Sequence, residues 1–98
     1  MFLHIVLLKF NHKADEQFFK QVNLFAERIK QACSGIIVYS FGENSSCRSE
    51  GYTHATSSIF TSSAEHDTYQ SHPIHIEMKS FMAGYIESVI VYDGQIKK

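Results

Sequence analysis

The segment Phe2 to Phe10, FLHIVLLKF, is largely apolar on both of its alternating faces. In an extended strand Phe2, His4, Val6, Leu8 and Phe10 point one way, and Leu3, Ile5, Leu7 and Lys9 the other. Such a strand belongs inside a sheet and needs a layer against each face. In a chain of 98 residues, its own helices can supply one layer. The other has to come from elsewhere.

The remaining elements follow from periodicity and punctuation. Asp15 is positioned to cap a helix in which Phe18, Val22, Phe25, Ile29 and Cys33 recur on one face, and Gly35 is suited to a left-handed C′ position after it. IIVYSF, residues 36 to 41, reads as a second strand, with Ile37, Tyr39 and Phe41 on one face and Ile36, Val38 and Ser40 on the other. GENSSCRSEG, residues 42 to 51, is polar, bounded by glycines and aperiodic, hence a mobile loop. Residues 52 to 60 read as a third strand whose small central residues either face solvent or leave room for a cavity. Ser62 and Glu65 form a capping box. The helix they start stops near Tyr69 or Gln70, because Pro73 lacks the N–H and pushes His72 towards extended geometry. Pro73 then suits the first turn of a second segment ending near Gly84. Residues 86 to 92 make a last strand, closed by Asp93-Gly94.

The order strand, helix, strand, strand, helix, strand is that of two split β-α-β units. It predicts one α+β domain over residues 1 to 98, a ferredoxin-like βαββαβ sandwich with a four-stranded antiparallel sheet and both helices on one face. The other sheet face would then be bare and apolar, and patches of that kind are rare on monomers. A second copy packed sheet to sheet is the simplest cover, giving a homodimer and a dimeric α+β barrel. The hydrophobic content of 44% and aromatic content of 13% agree with more apolar surface than one small core uses.

Composition excludes other classes. The formal charge is -1 with no basic stripe, which argues against nucleic acid as a partner. No apolar run approaches a membrane span, and the N-terminal segment lacks the basic region and cleavage site of a signal peptide. Cys33 and Cys47 fit no metal spacing and read as free thiols, so the expected location is cytoplasmic. Six histidines, His4, His12, His54, His66, His72 and His75, match no zinc signature, and neither a metal nor another cofactor is assigned.

The stretch YQSHPIHIEM, residues 69 to 78, gathers the reactive side chains. His75 lies in the first turn of its helix, where the positive end of the helix dipole disfavours imidazolium. A neutral His75 suits a general base. Tyr69, across the proline break, can donate a hydrogen bond to a developing oxyanion. A purely architectural reading stands beside this one: Tyr69 anchors its helix, and His75 bonds backbone groups freed by the break. His72 is read as the cap of the second helical segment, with His12 and His66 exposed. His4 and His54, on neighbouring strands, can both face the helices and line the same cavity, or serve as core or interface histidines.

Together, HIVLLKF, GENSS, GYTHATSSIF, YQSHPIH and VIVYDG resemble the stress-responsive A/B barrel (Dabb) family of dimeric α+β barrels, in order and over nearly the whole chain. The family includes a polyketide cyclase that closes a ring by aldol condensation. That resemblance implies Tyr69, His75 and His4 as catalytic positions and a histidine matching His54 in the pocket. Tyr39 and Met78 join His54 as candidate ligand-binding residues. The expected function is binding of a small, partly apolar ligand between sheet and helices, with cyclase-like proton transfer. A non-enzymatic stress-associated binding protein and a cofactorless monooxygenase are the alternatives.

Overall fold

The computed structural model describes residues 1–97. Its elements are β1 (Phe2–Phe10), α1 (Glu16–Ala32), β2 (Ile36–Glu43), β3 (His54–Phe60), α2 (Ser63–Gln70), α3 (Pro73–Met82), a short 3-10 turn (Ala83–Tyr85) and β4 (Ile86–Gln95). The four strands form one antiparallel sheet in the order β2-β3-β1-β4. This is the ferredoxin-like arrangement anticipated from the pattern.

Local chemistry sets the helix boundaries. The Asp15 carboxylate accepts from the Phe18 amide at 2.9 Å, and Ser62 Oγ accepts from the Glu65 amide at 3.2 Å. His72 is extended at φ -67° and ψ 136°, and its side chain accepts from the Ile74 amide. Pro73 occupies the first turn of α3, where its missing N–H costs nothing.

α1 turns Phe18, Val22, Phe25, Ala26 and Ile29 into the core. Each of the larger side chains among them, Phe18, Val22, Phe25 and Ile29, contributes roughly 1.5–3 kcal/mol of hydrophobic stabilisation. The helix-facing side of β1 carries His4 and Leu8, both buried. Opposite them in register are Ser58 and His54 on β3, and Asp93 and Val89 on β4.

Several local expectations are corrected. Gly35 does not adopt a left-handed conformation; among the described residues positive φ occurs at Glu50 and Gly51. α1 instead ends on Cys33 in extended geometry, its amide bonding the Ile29 carbonyl. Gly35 is required for space, because a Cβ there would collide with the Glu65 side chain. A register shift between Ile36 and Val38 also redistributes β2. It puts Ile36 against the core with Tyr39 and leaves Ile37 exposed. Strict alternation could not reveal this irregularity. β3 begins at His54 rather than at residue 52. β4 continues past Asp93-Gly94 to Gln95, so that Asp93 is a strand residue paired with His4 rather than part of a closing turn. The loop after β2 is tied at its base, with the Asn44 amide bonded to the Thr53 carbonyl at 2.7 Å.

The second sheet face is bare and apolar. It presents Leu3, Ile5 and Leu7 along its centre, with Val38, Ile90 and Tyr92 among the exposed large hydrophobics. β4 is exposed on both sides, since Val89 and Val91 on the helix side are also about half exposed.

Candidate functional site

Between the sheet and α2–α3 lies a cavity of about 480 Å³. Its walls are mostly apolar: Val6, Leu8, Met78, Met82, Ile86 and Val89 among them. Its polar groups come from His4, Tyr39, Thr56, Tyr69, Gln70, His75 and Lys79. Small-molecule sites are typically concave, about 300–1,000 Å³ in volume and mainly apolar with a few placed polar groups.

The proline break shapes this wall. Because α2 stops at Gln70 and α3 starts at Pro73, the Gln70 carbonyl has no helical partner within α2. His75 Nδ1 lies 3.2 Å from that carbonyl. The carbonyl can only accept, so Nδ1 carries the proton and Nε2 is the free, basic nitrogen of the neutral ring. Burial is the main cause that pushes the His75 imidazole below its ordinary proton affinity. The Gln70 bond opposes this, and Lys79, His4 and His66 reinforce it.

The His75 ring packs against Tyr69, ring centroids 4.1 Å apart. The Tyr69 hydroxyl lies 2.9 Å from that of Tyr39, and Met78 Sδ is 4.0 Å from the latter. Burial is the largest cause raising both phenols, Tyr39 to about 12 and Tyr69 further. Both are therefore neutral donors at ordinary pH. One proton fills the shared bond; when Tyr39 is its donor the Tyr69 proton is available to a ligand, and when Tyr39 instead donates to Met78 Sδ the Tyr69 proton fills the bond.

His4 sits deeper, bonded through Nδ1 to the Asp93 carboxylate across the β1–β4 pair. Its ring is 5.9 Å from that of Tyr69 and 4.5 Å from that of His66. His66, expected on the surface, is only 5% exposed. Its Nε2 lies 3.0 Å from the Gln70 side-chain nitrogen.

The structure thus brings Tyr69, His75, His4, Tyr39 and Met78 to one cavity. It does not bring His54 there. His54 stacks on Phe19 at 4.3 Å and on Phe41 at 5.5 Å, in an aromatic cluster with Phe10. Although His4 and His54 share a sheet face, four positions along β3 separate Ser58, opposite His4, from His54, opposite Leu8. Thr56, between them, is the β3 residue that lines the cavity. Asp93 and His66 were not among the anticipated site residues. The signal for Asp93 was its pairing with His4, which depends on how far β4 extends. His66 lies three positions before Tyr69 and so shares its helix face.

A family model described as the stress responsive A/B barrel domain matches residues 2–96. The chain belongs to the stress-responsive A/B barrel domain family. A crystal structure of an Arabidopsis thaliana protein superposes with a TM-score of 0.87 at 21% identity, over 100% of this chain and 97% of that one. A dimeric ferredoxin-like protein of unknown function from Thermobifida fusca gives a TM-score of 0.84 at 19% identity, over 97% and 90% of the two chains. The hydroxynitrile lyase of Passiflora edulis gives a TM-score of 0.87 at 19% identity, over 99% and 94%. At these identities the structural likenesses establish the A/B barrel fold and not an activity. No curated protein sequence matches.

Proposed function

We propose that this A/B barrel domain is a homodimer that binds a small, partly apolar molecule between sheet and helices, and that His75 and Tyr69 perform proton transfer on it. One observation carries the reading. In a mostly apolar cavity, a neutral imidazole with Nδ1 already held by a carbonyl stands against a buried tyrosine pair, in which Tyr69 can donate to a ligand while Tyr39 donates to Tyr69. His75 Nε2 removes a proton from the ligand, and the phenol donates to the oxygen on which charge develops. A well-placed base contributes about 10²–10⁴ in rate. Aldol-type ring closure fits this arrangement, as does removal of a hydroxyl proton from a cyanohydrin. The bare sheet face and the dimeric relatives support the two-copy assembly, and the two free thiols suit a reducing, cytoplasmic setting.

The test is a thermal-shift screen of aromatic acids, lactones, linear polyketones and cyanohydrins, followed by turnover assays on hits. The expected result is a hit whose turnover is lost in His75→Ala while the dimer persists. Unchanged turnover in that variant would overturn the mechanism.

A second reading rests on the same bond. By holding the Gln70 carbonyl, His75 closes the backbone gap left by the Pro73 break. In a non-enzymatic binding domain this would be its whole role, and His75→Ala would lower the melting temperature with no chemistry lost.

A further inference from the structure

At one end of the cavity, His4 meets two polar side chains that the proton-transfer reading does not use. His4 on β1, His66 on α2 and Asp93 on β4 converge from three separate elements. Each offers one ligand atom, and these atoms lie within 4.8 Å of one another. Both imidazoles are almost wholly buried, whereas the Asp93 side chain is 38% exposed and opens the group to solvent.

We propose that His4, His66 and Asp93 form a binding site for a divalent transition metal, with zinc as the best-matched ion. Two imidazoles and one carboxylate are a borderline donor set; it suits zinc and its first-row neighbours and disfavours magnesium and calcium, which take oxygen ligands. Bonds of about 2.0–2.2 Å place tetrahedral ligand atoms about 3.4 Å apart. Side-chain adjustments of about 1 Å therefore bring the three atoms onto an ion. Three protein ligands leave a fourth position open, as in catalytic rather than structural zinc sites.

The surroundings favour binding. Phe2 and Phe60 pack on the His66 ring at 5.0 and 5.1 Å, and Phe60 and Tyr69 meet the His4 ring at 6.4 and 5.9 Å. This aromatic shell keeps the local dielectric low, which strengthens the attraction between a cation and its ligands. The Gln70 amide already holds the His66 ring, and the contact between His4 and Asp93 keeps those two groups together, their hydrogen bond being exchanged for bonds to the ion when it binds. Ser58 Oγ donates to the His4 carbonyl at 3.0 Å and holds the strand that carries the first ligand. His4 also lines the cavity, so an ion at this position would stand at one end of it.

The site stands independently of any turnover, and its test uses no substrate. The full-length protein is stripped with a chelator and titrated with zinc chloride by calorimetry, then with cobalt chloride by visible absorption. The expected result is saturable binding of one ion per chain, with the absorption of four-coordinate cobalt. His66→Leu and Asp93→Asn should each abolish that binding, whereas replacing the exposed His12 and Cys47 together by Ala and Ser should leave it unchanged. Asp93→Asn keeps the shape of an exposed edge residue, and circular dichroism verifies its fold, so it reports even if His66→Leu fails to fold. Absence of saturable binding in the wild type would overturn the site. So would survival of binding in a folded Asp93→Asn or His66→Leu variant, or its loss in the His12/Cys47 control.

Discussion

The hydroxyls of Tyr39 and Tyr69, thirty positions apart in sequence, meet at 2.9 Å inside the core and join β2 to α2. Tyr39→Phe leaves the Tyr69 phenol without its partner and Tyr69→Phe leaves Tyr39 only the weak Met78 Sδ acceptor, at a cost of about 1–3 kcal/mol for an orphaned buried group. Removing both hydroxyls leaves no orphan. Urea denaturation of the two single variants and the double variant is expected to show the double variant destabilised by less than the sum. Strict additivity would mean that the bond couples nothing.

Stability is expected to fall in mild acid. Burial, the leading cause in each case, lowers the proton affinity of His54, His66 and His75 below the ordinary 6.5. The unfolded chain therefore binds more protons than the folded one in the window below about pH 6.5, and stability rises with pH across that window. The contribution is complete above the unfolded value, declines as pH falls through it, and levels off below the lowered folded values. Urea midpoints from pH 5 to 8 test this. His54→Phe, which keeps the stacking on Phe19 and Phe41, should reduce the slope; an unchanged slope would show that His54 takes no part.

The apolar sheet face gives a prediction about assembly. Ile90 on β4 is 49% exposed and lies beside Leu7 in the sheet. Sedimentation velocity is expected to show two copies for the wild type and one for Ile90→Glu, since burying an unpaired carboxylate between the sheets costs several kcal/mol, and the variant, without the stabilisation that association gives, is expected to melt at a lower temperature. A wild type that sediments as a single copy at micromolar concentration would contradict the face-to-face dimer.

The two thiols should react at different rates. Burial, with the Glu65 charge adding to it, raises the Cys33 thiol above its usual 9.0, whereas Cys47 is exposed in the loop after β2. A disulfide reagent near pH 8 is expected to modify Cys47 first and Cys33 only slowly. Peptide mapping at partial modification decides it, and equal labelling would mean that the corner holding Cys33 opens readily.

The element order was legible because punctuation and periodicity agreed. Asp15, Ser62 and His72 each sit where their side chains cap a helix, and Pro73 divides α2 from α3 as its chemistry requires. Tyr69, His75 and His4 could be grouped from the motif and the strand face that carry them. What escaped depends on distances between elements. His66 looks like a surface residue in SAEHDTYQ because its burial comes from outside the helix, from Phe60 at the end of β3 and from Phe2, far away in sequence. His54 shares a face with His4, but position along a strand, not face alone, decides which end of the core a side chain reaches. The β2 irregularity near Ile37 left no mark in a run that is apolar throughout.

Gly35 lies at the corner between α1 and β2, its surface pressed against Glu65 in the first turn of α2. The Gly35 carbonyl also receives the Thr61 amide at 2.9 Å, just before that helix begins. The absence of one methyl group thus sets how closely the first half of the chain can approach the second. His66 and Tyr69 ride on the helix that this approach positions. A single added carbon at Gly35 would act as a wedge, displacing His66 and Tyr69 together while leaving every side chain of the cavity and of the histidine pair chemically intact.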